Sequence, residues 1–328
     1  MADHPTSSLF SSSLACLLLA AAPLAAQEAA EPGPALTLEG HLSLISSLAF
    51  SPDGKTLVSA GSYMDSTICF WGVETGDLKQ CLRGDKGSVT CLALTRDGKA
   101  LAVGGSDTTL RLLDAATGKT LRLLPNHKGG VNSVAFSPDG RLVASACDGD
   151  EAVRISNAAS GEALHTMTIR WGAHSVAFAP GGATLAGGGR FGRLLLWSVG
   201  TGEHAGTLLN GKGKVTVAYS PDGGFLASSS DLSAVQVFAT KGGRLLRSLP
   251  RCAPNSPLAF APDSRTLATG GDDHSVKLWT VNTGESRAIL RAHKGTISAL
   301  AFSPDGEPLA SGSDDGTIHL WATADLGR

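Results

Sequence analysis

The chain has 328 residues, 42% hydrophobic and 17% charged, so it carries enough apolar material to bury a core and is not compositionally disordered. Its formal net charge is −2 and it has no block of five Lys or Arg residues, which excludes the electrostatic footprint of a duplex nucleic-acid binder. The 41 glycines have no collagen-like period and cluster with Asp, Ser and Pro between short apolar runs, a pattern that predicts many tight turns.

In chain order, residues 1–26 read as a signal peptide. Leu14 to Ala22 is an unbroken apolar run, followed by Pro23 and small residues up to Ala26, where cleavage is expected before Gln27 and Glu28. The run is too short for a bilayer span, so no membrane insertion of the mature chain is expected. Export to the periplasm or the exterior follows from this reading. Met1 to Ser8 lacks the usual Lys or Arg, however, and the alternative is an apolar tail on a cytoplasmic protein. Ser13-Leu14-Ala15-Cys16 is only loosely similar to a lipoprotein box. Residues 27–34 read as a linker and 35–328 as the folded domain.

From Ala35 onward one pattern repeats, V-x-S-V-A-F-S-P-D-G-x-x-L-A-S. Its aromatic or apolar anchors fall at Phe50, Leu94, Phe136, Phe178, Tyr219, Phe260 and Phe302, spaced 41–44 residues apart. A second anchor falls at Trp71, Leu113, Ser156, Trp197, Phe238, Trp279 and Trp321. With four short β-like runs per unit, this period is the size of a propeller blade.

On these residues the chain from Ala35 to Arg328 resembles the WD40-repeat family, and its regular units with an Ala-rich leader look like bacterial members. The seventh unit carries the resemblance best, with Ala292-His293, Ser303-Pro304-Asp305-Gly306 and Ser311 through Trp321. The resemblance implies an all-β fold: a seven-bladed WD40-type β-propeller with four antiparallel strands per blade. Ser-Pro-Asp-Gly at 51–54, 137–140, 220–223 and 303–306 suits hairpin turns, Pro presetting one φ and Gly taking a conformation that a Cβ resists. The last unit stops without a fourth strand, and Leu36-Thr37-Leu38 fits that place. It is therefore expected to complete the C-terminal blade and remove an open edge.

The family's buried chain of His, Ser or Thr, Asp and Trp carries over as His41, Ser59, Asp65 and Trp71 in blade one and as His293, Ser311, Asp315 and Trp321 in blade seven. Blade three keeps His127, Ser145 and Asp150 but has Ser156 for Trp. Blade six keeps Thr269, Asp273 and Trp279 with Arg251 for His, so both networks should be incomplete. Such a trio invites a hydrolase reading. Recurrence by blade favours a structural one.

Gly187 to Gly192 satisfies G-x-G-x-x-G, but the strand-like Leu194 to Trp197 follows where a dinucleotide site needs a helix, so a hairpin is expected. No Cys or His spacing suits a metal and no Walker A loop occurs, hence no metal, nucleotide or other cofactor is expected. Cys69 and Cys81 flank the hairpin at Val73 to Asp77 symmetrically. They read as two buried thiols, with a bridge as the alternative in an exported protein.

The resemblance places partners on the loops that enter each first strand or join strands two and three. Most are small and polar; blade four differs, with Arg170-Trp171-Gly172-Ala173-His174 and Gly189-Arg190-Phe191-Gly192. Trp and Arg are enriched at binding hot spots. Arg170, Trp171, His174, Arg190 and Phe191 are therefore candidate binding residues, and Tyr63 and Met64 in a longer blade-one loop are a second contact. The competing reading has Trp171 filling the gap left by a missing His and Phe191 merely replacing an Asp. The function expected is a non-catalytic scaffold, monomeric on its own, that binds a protein or peptide rather than nucleic acid. The alternative is an enzyme with its site at the channel mouth, which would need acids, bases or metal ligands converging from several blades.

Overall fold

The computed structural model describes residues 32–324 except 84–86, 126, 210, 211, 232, 233 and 251. The expected leader, Cys16, most of the linker and Arg251 lie outside the described residues.

Seven four-stranded antiparallel sheets succeed one another along the chain, giving the seven-bladed propeller that the repeat predicts. Blade one runs from the central channel outward as Ile45–Phe50, Thr56–Gly61, Thr67–Gly72 and Leu78–Arg83. Blade seven comprises Ile297–Phe302, Leu309–Ser313 and Ile318–Trp321, with Leu36–Leu38 added as its outermost strand. The register pairs Leu36 with Leu320, Thr37 with His319 and Leu38 with Ile318, so both ends of the ring meet in one sheet.

The turns use the chemistry their residues imply. The Ser51 hydroxyl donates to Asp53 at 2.6 Å and accepts the Thr56 N–H, Asp53 accepts the Lys55 N–H, and Gly54 takes φ 69°. The same Ser-to-Asp bond recurs at Ser137, Ser220 and Ser303. Second strands such as Thr56–Gly61 are buried on both faces, whereas outer strands such as Leu78–Arg83 are mostly exposed.

The core is divided among the blade junctions. One cluster joins Val58, Ile68 and Phe70 of blade one to Val89, Leu101 and Val103 of blade two, and each later junction has its counterpart. At roughly 1.5–3 kcal/mol per large side chain buried, these wedges dominate the fold's stability. Polar staples reinforce them near the channel. Ser46 donates to the Val89 carbonyl at 2.8 Å, Thr90 to that of Val131, Asn132 to that of Ala173 at 3.0 Å and Ser298 to that of Ile45 at 2.5 Å. At the equivalent position of blade four stands His174, whose Nδ1 has no partner among the described residues.

The thiol reading of Cys69 and Cys81 is corrected: the two are bonded in a disulfide. A bulge between Phe70 and Trp71 sets Cys69 directly opposite Cys81, with Cα atoms 4.2 Å apart, and Cys81 is exposed rather than buried. Cys91, Cys147 and Cys252 are free and buried.

Candidate functional site

The His, Ser, Asp and Trp residues of blades one and seven meet as a network. His41 reaches Asp65 and Ser59, each at 2.6 Å, and the Trp71 indole N–H donates to Ser59 at 2.8 Å. In blade seven His293 lies 3.2 Å from Asp315 and 2.8 Å from Ser311, and the Trp321 indole donates to Ser311 at 2.8 Å. Burial pushes the Asp65 carboxyl up, but hydrogen bonds from Thr67, His41 and the Leu42 N–H outweigh it and hold the group below the ordinary carboxylate range. Both serines are fully buried and take an indole N–H, so neither hydroxyl is exposed for attack on a substrate. The network ties loop to strand.

The incomplete blades behave as their substitutions require. In blade three His127 holds Ser145 at 2.8 Å and Asp150 at 3.1 Å, while Ser156 replaces the indole. His127, Cys147 and Asp150 bring ligand-type atoms within 4.8 Å of one another. The Arg154 guanidinium fills that cluster, 2.7 Å from Asp150 and against His127, and supplies the positive charge a cation would bring. In blade six the Trp279 indole donates to Thr269 at 2.9 Å. In blade five Phe238 replaces Trp, and the fully buried Ser228 hydroxyl has no partner among the described residues.

Blade four is built differently. Gly187 stands where blade one has Ser59, and the Trp197 ring and Ile169 crowd the space above it. Ile169, fully buried, occupies the place of the missing histidine. This corrects the packing reading of Trp171. Ile169 precedes Ala173 by the interval that separates His41 from Ile45, a spacing that would have identified it.

Trp171 and Phe191 instead face solvent, 49% and 62% exposed, with ring centroids 5.4 Å apart in an edge-to-face arrangement. The Arg193 guanidinium lies 4.8 Å from the Trp171 ring centroid, a cation–π contact. The three side chains and Thr207 line an open hollow of about 610 Å³. Arg193 escaped the sequence reading because it reads as an ordinary first residue of its strand, Arg193–Ser198. Gly189 to Gly192 joins two strands of one hairpin, as expected for this decoy of a nucleotide loop.

Both aromatics are held at positive φ, 69° for Trp171 and 57° for Phe191. Phe191 and Gly192, at φ 70°, form consecutive left-handed residues of a turn closed by the Arg193 N–H on the Arg190 carbonyl. Glu151 accepts the Trp171 N–H at 2.9 Å, and Arg190 pairs with Asp148 at 3.1 Å. Arg170 is exposed.

The structure separates His174 from this pair. It lines the central channel, a space of about 600 Å³, with Tyr63 and hydroxyl or amide side chains from the other blades. No Asp, Glu, Lys or Arg is among the described lining residues. Burial, and then Lys214, push the His174 imidazole down to about 4, so it is neutral at pH 7. Tyr63 and Met64 project at 75% and 93% exposure from blade one.

The profile described as WD domain, G-beta repeat matches residues 33–72, 118–155, 202–238, 258–280 and 284–322, more than half of the chain. The chain belongs to the WD40-repeat family. A profile for the anaphase-promoting complex subunit 4 WD40 domain also matches residues 81–130. Among relatives, this WD40 chain is 43% identical over 68 residues to an uncharacterised WD repeat-containing protein of Synechocystis sp., covering 21% of this chain and 19% of that one. It is 39% identical over 69 residues to the periodic tryptophan protein 2 homolog of Schizosaccharomyces pombe, covering 21% and 8%. It is 37% identical over 84 residues to pre-mRNA-splicing factor cwf17 of the same yeast, covering 25% and 24%. The matches thus span a quarter or less of each of these relatives.

Proposed function

We propose that this WD40 propeller is a non-catalytic platform that holds a protein or peptide partner on its loop face, with the blade-four aromatic pair as its anchor. One observation carries the reading: Trp171 and Phe191 are exposed, touch each other and are kept in a backbone region that bulky residues avoid. Strain retained at an outward-facing aromatic points to use at the surface. Tyr63 and Met64 provide a second contact for a partner broad enough to cross the channel mouth. The competing enzyme reading needs converging charged groups at that mouth, where the described lining is uncharged.

We further propose export, with cleavage after Ala26. The leader composition and the disulfide between Cys69 and Cys81 both support an oxidising compartment. Intact mass of the protein recovered from the exported fraction, lacking residues 1–26, tests this; a full-length mass in the soluble cell fraction alone would refute it.

The interaction reading is tested by affinity capture from the native source with wild type and with the triple variant Arg170→Ala, Trp171→Ala, Phe191→Ala, whose melting transition must be native. A partner kept by wild type and lost by the variant supports the site. Retention by both refutes the blade-four anchor, and capture by neither counts against the platform itself.

A further inference from the structure

We infer that the blade-four surface takes an acidic peptide segment carrying one apolar side chain; the inference rests on the interaction reading above and specifies the partner's chemistry. Blades two, three, six and seven place an Asp where blade four has Phe191, namely Asp107, Asp150, Asp273 and Asp315. Those carboxylates bond within their own blades, to Thr109, His127, Ser275 and Thr317. Blade four has exchanged an inward-bonding acid for an outward-facing aromatic at a turn position that suits Asn, Asp or Gly. The exchange also leaves the loop with its basic groups in excess.

Arg193 lines the hollow and Arg170 adjoins Trp171 in the chain, against Glu151 at the Trp171 backbone, while Arg190, beside Phe191, and Lys214 turn to Asp148. Asp148 is paired, with Arg190 at 3.1 Å and Lys214 at 4.0 Å, and Glu151 accepts the Trp171 N–H and keeps its negative charge, which Arg170 and Arg193 together exceed. Arg170 is exposed and has no hydrogen-bond or ion-pair partner among the described residues. A basic excess on a chain of net charge −2 is a local feature, complementary to an acidic segment. The open hollow, walled by Trp171, Phe191 and the stacked Arg193, offers an apolar seat for an aliphatic side chain. A single-stranded nucleic acid would use the same stacking faces, but it calls for a basic groove that follows several phosphates, and here the cations gather at one point.

Trp171 reports on its own site. The other four tryptophans are at most 5% exposed, so acrylamide quenching of fluorescence reads Trp171. The probes are a capped pentapeptide Asp-Glu-Leu-Glu-Asp, its amide counterpart Asn-Gln-Leu-Gln-Asn, its glycine-centred counterpart Asp-Glu-Gly-Glu-Asp, and an oligothymidylate. Only the first should shield Trp171 saturably, with affinity falling as salt rises. Arg170→Glu should weaken it by roughly tenfold with an unchanged melting transition. Equal shielding by the amide or glycine-centred peptide, stronger shielding by the oligothymidylate, or no shielding by any probe overturns the inference. If the probes fail while the captured partner still depends on Trp171 and Phe191, the assigned chemistry is wrong and the platform stands. If that dependence fails as well, the blade-four anchor falls with it.

Discussion

The imidazoles of His293 and His319 lie with ring centroids 4.1 Å apart inside blade seven, where the chain closes its ring. His319 also contacts Thr37 of the closing strand, its Nδ1 being 3.0 Å from the Thr37 hydroxyl, and stands edge-to-face against Trp321. Burial pushes His319 down to about 4, and the neighbouring His293 adds to the shift against a weaker opposing pull from Asp315. Burial likewise lowers His293 despite Asp315 beside it.

Closure should therefore weaken in acid. The folded state resists a proton that the unfolded chain accepts near pH 6.5, so the contribution of His319 is complete above that value and is lost as pH falls toward about 4. The loss should reach about 2–3 kcal/mol. Urea unfolding across this window checks it, with His319→Asn expected to flatten the slope. His174 of blade four titrates in the same window and should leave a residual slope in that variant.

One position in the blades should give opposite outcomes in different blades. Ser311 accepts the Trp321 indole and contacts His293, so Ser311→Ala strands both and should cost about 2–3 kcal/mol. Ser228 is equally buried without a partner among the described residues, and Ser228→Ala should be neutral or stabilise by up to about 1 kcal/mol. Melting temperatures of the two variants decide the matter. Equal losses would show that Ser228 has a role that its geometry does not reveal.

The disulfide should matter to stability. Cys69 and Cys81 are separated by 12 residues in sequence, and closing so short a loop is worth roughly 2–3 kcal/mol. Thermal melts with and without reductant, compared with Cys81→Ser, measure it. A reductant effect that persists in the variant would mean that another bond is responsible.

Phe191→Asn should stabilise while it disarms. Asn followed by Gly192 suits a turn with two left-handed residues, whereas a phenyl ring there is strained, and relief of about 0.5–1 kcal/mol is expected. Partner capture should be lost in the same variant. A fall in stability would place Phe191 among the packing residues after all.

The blades were legible because the turns dictate them: Ser-Pro-Asp-Gly at a fixed interval fixes hairpins, and hairpins fix the order of strands. The closing strand was legible because Leu36-Thr37-Leu38 carries a fourth strand's pattern ahead of the first blade. The site was less so. That Arg170, Trp171 and Phe191 occupy loops of one blade follows from spacing, but exposure does not, because the substitution of Ile169 for a histidine frees Trp171 from the interior. The stacking of Arg193 depends on which way a strand's first side chain leans. His174 reads as part of the same loop, yet the alternation of a strand turns it into the channel. The Cys69–Cys81 bridge rests on a one-residue bulge that no turn signal announces.

The closing strand also sets the order in which the molecule can be made. Leu36–Leu38 is synthesised before its partner Ile318–Trp321; Thr37 and His319 are 282 residues apart. At ribosomal speeds of about 5–20 residues per second, that interval lasts roughly tens of seconds. For all that time Leu36 and Leu38 have no sheet to join. Closure of the ring therefore rests on one pairing between strands that enter the molecule far apart in time.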